Sequence, residues 1–182
     1  MPKSYILNRS AFENDKQFND YVLALQARML PLKFAYIGPA AYTHDQLVRS
    51  KEYGLADAEA RLIQDNLASL FMPHEDEQAI NIPDIGSGNG LKGARVLQLI
   101  RAQITNIQYT ALDYSQELLK IAINNISSEN PEIKINTHLV DFETTSFREV
   151  GHSVEQEGRR NLFLLLGNTL GNPADRLQGL RN

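Results

Sequence analysis

Ile80-Asn81-Ile82-Pro83-Asp84-Ile85-Gly86-Ser87-Gly88-Asn89-Gly90 is the stretch that decides the fold of this chain. An apolar strand signal ends in a turn with glycine at every second position, and a helical pattern follows from Leu91 to Ile104. Glycines at such a turn allow positive φ and let the backbone lie against a ligand with no Cβ in the way. The start of the following helix offers free N–H groups to whatever sits in the crevice. The spacing is G-x-G-x-G, with Leu91 where a dinucleotide fingerprint places its third glycine. Asp84, just before the turn, would repel a pyrophosphate but suits a ligand carrying an ammonium or sulfonium group. That combination favours S-adenosylmethionine over NAD.

Outward from this turn, the pattern from Ala79 onward alternates strand and helix. The first strand runs to Ile85, and the second spans Ile107 to Leu112. Ser115 caps a helix carrying Leu118, Leu119, Ala122, Ile123 and Ile126, which Ser127-Ser128 and Pro131 break. Ile133, Ile135 and Leu139 mark a third strand ending at Asp141, and a polar loop around 151–160 leads to a fourth, Asn161 to Leu166. Gly167-Asn168-Thr169-Leu170-Gly171-Asn172 then turns into a helix opened by Pro173. Alternation of this kind predicts a parallel sheet with flanking helices and a ligand outside the carboxyl ends of its strands. Four strands make a small sheet, so the expectation is one cut short after strand four. Its open edge predicts self-association and a chain inactive by itself.

Before Ala79 the chain reads as helical. Phe18, Tyr21, Val22, Leu25 and Met29 share one face and Pro31 ends the pattern. Gly38-Pro39 reads as a loop, and Thr43 caps a short helix that Gly54 ends. Leu55, Ala58, Leu62, Ile63, Leu67, Leu70 and Phe71 form a second stripe, and core packing is the simplest use of both. The segment Pro73–Gln78 reads as a solvated acidic connector. The division expected is a helical segment over 1–78 packed on a partial cofactor-binding domain over 79–182.

The 182-residue length suits one core of this size. With no cysteine there are no disulfides, thiolate metal sites or cysteine nucleophiles. His44, His74, His138 and His152 have no metal-ligand spacing, so no metal is expected. A net charge of −4 argues against a broad nucleic-acid-binding face. No apolar run reaches membrane-spanning length and Met1–Tyr5 lacks a signal-peptide pattern, which makes a cytoplasmic protein the default.

Asp113 ends the second strand, where a carboxylate can accept hydrogen bonds from both ribose hydroxyls; the structural alternative is a helix-capping aspartate. The ribose reading is preferred because Asp113 and the glycine turn meet at adjacent strand ends. Asp141-Phe142 ends the third strand the same way, either as carboxylate and wall for an adenine or as a turn aspartate beside a core ring. Lys92 stands in the first helical turn, where the dipole disfavours a cation; a carboxylate ligand or plain solvent exposure would explain it equally. Asn168, Thr169 and Asn172 occupy the turn after strand four, either as substrate contacts or as ordinary turn chemistry.

Together, Asp84-Ile85-Gly86-Ser87-Gly88, Lys92, Tyr109–Ser115, Val140-Asp141-Phe142 and Leu166–Asn172 resemble the SAM-dependent histidine-specific N-α-methyltransferases. Lys33-Phe34-Ala35-Tyr36, Glu52-Tyr53 and Ala58-Glu59 extend the resemblance upstream, whereas Gly54, Ala56, Asp57 and Asn168 depart from the family pattern. The resemblance implies a Rossmann-like class I methyltransferase core. It implies S-adenosylmethionine held by Gly86, Gly88 and Lys92 at the methionine end, Asp113 at the ribose, and Asp141 and Phe142 at the adenine. It also implies an amino-acid pocket lined by Tyr36, Tyr53 and Asn172, with the α-amino group of a free amino acid, histidine first, as acceptor. Methyl transfer from a sulfonium needs mainly alignment of a neutral amine, so no catalytic side chain is assigned and no histidine is placed as base. A nicotinamide- or flavin-dependent Rossmann enzyme is the first rival. A nucleic-acid methyltransferase is the second, opposed by the lack of a proline-aromatic turn after strand four. A non-catalytic module that binds the cofactor or a partner is the third.

Overall fold

A computed structural model describes residues 9–70, 79–167 and Thr169, with only the backbone described at 54–57 and 67–70. Three helices come first, α1 (Asp15–Gln26), α2 (Pro39–Arg49) and α3 (Gly54–Leu70). The alternating part follows as β1 (Ala79–Ile85), α4 (Leu91–Ile100), β2 (Asn106–Asp113), α5 (Gln116–Glu129), β3 (Lys134–Leu139), α6 (Phe147–Val154) and β4 (Arg160–Asn161). The four strands form one all-parallel sheet in the order β3-β2-β1-β4. The chain thus runs outward from β1 to β3 and then returns to the other side of β1. The switch point lies at the carboxyl ends of β1 and β4, the position at which open α/β sheets bind ligands.

Parallel strands buried on both faces explain the apolar density of β1 and β2. Ile80 and Ile82 of β1 and Ile107, Tyr109 and Ala111 of β2 pack under α4 and α5, against Val96, Leu97, Ile100, Leu119, Ala122 and Ile126. The opposite face holds Leu112 with Val140, Val150 and Val154, the last two from α6. Beside them lies a buried polar network: Thr110 Oγ1 donates to Asn81 Oδ1 at 2.9 Å, and Asn81 Nδ2 donates to the Val154 carbonyl at 3.0 Å. These bonds tie α6 to the sheet while satisfying groups that burial would otherwise penalise.

Several local expectations are corrected. The segment from Gly151 is not loop throughout, because α6 runs to Val154. Its start is a capping box in which Ser146 Oγ accepts from Glu149 N and the Glu149 carboxylate accepts from Ser146 N. Thr43 is inside α2, not at its cap; that helix starts at Pro39 after Gly38 at φ +53°, and Gly54 opens α3 instead of closing α2. The fourth strand is regular only at Arg160–Asn161 and continues as single bonds, Leu162 N to Asn81 O and Leu164 N to Pro83 O. Its leucine run alternates, Leu164 being buried while Phe163 and Leu165 are exposed.

The α1 stripe is only partly inward. Phe18 and Tyr21 meet Phe12, Tyr21 meets Phe34, and Phe34 meets Tyr114 in a chain of edge-on and tilted rings, while Leu25 and Met29 face outward. In α3, Ile63 packs on the sheet core and Leu62 is exposed. The expected acidic connector at 73–78 and the helix after Pro173 lie outside the described residues. Among the described residues no helix is long and apolar enough to cross a membrane.

Candidate functional site

The glycine turn sits at the switch point because its backbone is latched to the end of β2. Gly86 N and Ser87 N both donate to the Leu112 carbonyl, at 2.8 and 3.0 Å. Gly88 lies at φ +56°, in the left-handed region that favours glycine. A Cβ there would meet nothing within 4 Å, so the backbone faces open space in the cleft. Its N–H donates at 2.8 Å to Asp113 Oδ2, and the other carboxylate oxygen accepts from Ser115 N at 3.0 Å. The capping and ligand readings of Asp113 are therefore compatible: one buried carboxylate holds the turn and the α5 start, yet still borders the cleft. Burial pushes its pKa up, opposed by the backbone N–H groups of Ser115, Gly88 and Tyr114.

Asp84 lies deeper, 2 % exposed, accepting the Tyr109 hydroxyl. Gly93 of α4 makes this pair possible, because a Cβ at that position would collide with the Tyr109 hydroxyl and stand 2.9 Å from Asp84 Oδ2. Burial raises the Asp84 pKa from 3.8 to about 6, with Asp113 adding to the rise while the Tyr109 bond and Lys92 oppose it. The sign for stability follows. A carboxyl that binds its proton more tightly when folded stabilises the fold below pH 3.8, and this contribution is lost as pH rises through about 6. Asp84→Asn removes that titration and keeps an acceptor for Tyr109. Relative to the parent protein, it is expected to gain about 2 kcal/mol between pH 4 and pH 7 in urea melts. A stability difference that does not change with pH would contradict the assignment.

The other wall of the cleft comes from the helices before the sheet. Lys33, in the turn after Pro31, bridges Asp141 at 2.8 Å and Glu143 at 2.6 Å. Burial works against its charge, but the two carboxylates prevail and its pKa lies above the ordinary lysine value. Its ammonium also sits 5.1 Å from the Tyr114 ring centroid. Lys92 Nζ pairs with Glu59 of α3 at 2.5 Å, a partner neither sequence-based alternative named. Asp45 of α2 accepts from Asn89 Nδ2 of the glycine turn at 2.8 Å, and Arg49 donates to Asn125 of α5 at 2.8 Å. These bonds dock α2 on the turn and bring His44 and Tyr36 to the cleft, their rings edge-on at 4.9 Å.

Gly86, Gly88, Lys92, Asp113, Asp141 and Phe142 all line one cleft, and Tyr36 and Tyr53 line it as well. Asn172 and Asn168 lie outside the described residues. Sequence reading passed over Glu143, gave His44 no role as metal ligand or base, and saw Lys33 and Glu59 only as part of the upstream resemblance. Their charged partners lie far away along the chain, so no local spacing marks the pairs. Among the described residues no group of histidines and carboxylates could hold a metal ion. The cleft can take a ligand with an extended polar part over the glycine turn, hydroxyls at Asp113 and a flat group beside Phe142. Ser87 Oγ, buried at the turn with no hydrogen-bond partner among the described residues, leaves a further polar atom for such a ligand.

Comparison with known proteins follows this geometry. The family described as "Histidine-specific methyltransferase, SAM-dependent" matches residues 19–179. The histidine N-alpha-methyltransferase of Mycobacterium tuberculosis is 28% identical over 156 residues, covering 84% of this chain and 46% of that protein. The histidine N-alpha-methyltransferase of Mycolicibacterium smegmatis is 28% identical over 160 residues, covering 87% and 47%. The chain thus spans about half the length of these relatives. Among solved structures, the [4+2]-cyclase SpnF aligns at 20% identity and a TM-score of 0.34 over 53% of this chain and 32% of its own. With a family match running from the first helix through the strands that bear the glycine turn and the strand-end aspartates, the chain belongs to the SAM-dependent, histidine-specific methyltransferase family.

Proposed function

We propose that this chain forms the cofactor-binding part of a methyltransferase that places a methyl group on the α-amino group of a free amino acid, histidine first among candidates. The observation that carries the reading is the open backbone face of Gly88 beside the Asp113 carboxylate at the switch point of the sheet. The residues fit S-adenosylmethionine. Asp113 has lone pairs left for ribose hydroxyls after its two backbone bonds, and Asp141 and Phe142 border the place of the adenine. Ser87 Oγ, Gly86 and Lys92 stand at the methionine end. When bound, the cofactor supplies an activated methyl group on a sulfonium.

The protein's own contribution is alignment and exclusion of water. Lys33 holds the Asp141 carboxylate in one orientation, with Glu143 on the same ammonium. Tyr36 and Tyr53, from the helical part, line the same cleft as Lys92, and an amino acid would sit against them. The Lys92–Glu59 pair offers a cation for a carboxylate and an anion for an ammonium in that space. A net charge of −4 supports this reading over action on nucleic acid.

A mass-spectrometric screen of free amino acids with the whole protein and isotopically labelled S-adenosylmethionine tests the reading. Methyl incorporation on the α-amine of histidine is expected. Transfer to a protein, a nucleic acid or a non-amine compound, with none to amino acids, would overturn the substrate class. Cofactor binding with no transfer to any acceptor would point to a non-catalytic module.

A further inference from the structure

We propose that His44 is the base that receives the proton of the acceptor amine; the proposal rests on the amino-acid reading above. The α-amino group of a free amino acid is an ammonium near neutral pH, and its nitrogen has no lone pair until that proton leaves. Whatever takes the proton must stand on the acceptor side of the cleft with a lone pair free at that pH. Asp113 and Asp84 are engaged with backbone N–H groups and with Tyr109 at the far wall. Lys33 and Lys92 are cations, and the Asp141, Glu143 and Glu59 carboxylates are paired with them.

His44 meets the requirements. It lines the cleft against Tyr36, on a helix fixed to the glycine turn through its next residue, Asp45. Among the described residues no hydrogen bond engages its ring nitrogens, and its one ring contact is the edge-on packing with Tyr36. The charged and titratable groups around it are Asp45 on its own helix, Lys92 of α4 with Glu59 of α3, and the phenols of Tyr36 and Tyr53. Burial lowers its pKa below the ordinary 6.5 and outweighs the opposing pull of Asp45, with Lys92 adding a smaller lowering, so the neutral imidazole prevails at pH 7.

The step balances as follows. An N–H bond of the ammonium breaks and its proton passes to an imidazole nitrogen. The freed pair on the amine forms the N–C bond to the methyl group as the S–C bond breaks, leaving a neutral thioether, and the imidazolium then releases the proton to solvent.

The test is calorimetry of L-histidine binding to the protein loaded with S-adenosylhomocysteine, across acid to neutral pH, for the parent chain and His44→Phe. Phenylalanine keeps the edge-on packing against Tyr36 and removes the lone pair. In the parent protein, a neutral His44 accepts from the ammonium and a protonated one repels it. Affinity should therefore fall by about tenfold per pH unit below the His44 titration. In His44→Phe, affinity at neutral pH should be weaker by roughly tenfold and should lack this part of the pH dependence, the titration of the ligand's own imidazole being common to both proteins. Equal affinity and equal pH dependence in the two proteins would overturn the proposal, as would cofactor binding with no amino-acid binding in either. Failure of the parent protein to bind S-adenosylhomocysteine would instead overturn the reading on which the proposal rests. In the whole protein, methyl transfer by His44→Phe should fall about a hundredfold at neutral pH and recover as alkali deprotonates the free amine. An unchanged pH–rate profile would also overturn it.

Discussion

Asp113→Ala is expected to weaken binding of S-adenosylhomocysteine by about 1.5–3 kcal/mol, the range for hydrogen bonds to an ionised group. The carboxylate bonds Gly88 N and Ser115 N while bordering the cleft. Alanine removes the acceptor for the ribose hydroxyls and leaves two backbone donors at the turn without their partner. The second effect acts on the protein alone, so the fold should lose about 1–3 kcal/mol in a urea melt as well. Ser115 retains its side-chain cap on Leu118 N at 3.2 Å, which keeps the start of α5 in place. The variant should therefore fold at low temperature, where calorimetry can be run. Unchanged cofactor affinity in a folded Asp113→Ala protein would contradict the role assigned to this residue.

Gly93→Ala should be the more damaging change for stability. Alanine is the better helix former by about 1 kcal/mol, and on propensity alone the substitution would help. Packing reverses the sign. The added Cβ would stand 2.7 Å from Tyr109 Cζ and 2.9 Å from Asp84 Oδ2, and closer still to the hydroxyl between them. Tyr109 is fully buried and braced by the sheet, so it cannot swing aside cheaply. Overpacking of this kind costs about 1–3 kcal/mol, and breaking the Asp84–Tyr109 bond adds a buried unsatisfied group of similar size. A net loss of about 3 kcal/mol or more is expected in denaturant melts. Stability equal to or above the parent's would show that α4 does not sit against Tyr109 this closely.

The legible part of the site was the part written in consecutive residues. Strand, G-x-G-x-G turn and helix in one run locate the crevice, and an aspartate at the end of each of the first strands marks where ligands meet the sheet. Tyr36 and Tyr53 came from family likeness, and the cleft brings both to its wall. What escaped was pairing across the sequence. Lys33 meets Asp141 from 108 residues away, and Asn89 meets Asp45 from 44. Charges at such separations look like solvated surface until the fold brings them together. Helix α6 was missed for a different reason. Its Ser146–Glu149 capping box is present, but Gly151 and the valines give its body poor intrinsic helicity, and contacts of Val150 and Val154 with Leu112 supply what propensity does not. The start of α2 shows the opposite error, since Gly38-Pro39 read as a loop where proline was opening a helix.

Calorimetry of the purified chain with S-adenosylhomocysteine and NAD, measured side by side, tests most directly the claim that the Gly88 crevice takes an S-adenosyl cofactor. The expected result is saturable one-to-one binding of S-adenosylhomocysteine that Gly88→Val abolishes, with no binding of NAD. Preference for NAD, or S-adenosylhomocysteine binding that survives Gly88→Val unchanged, would contradict it.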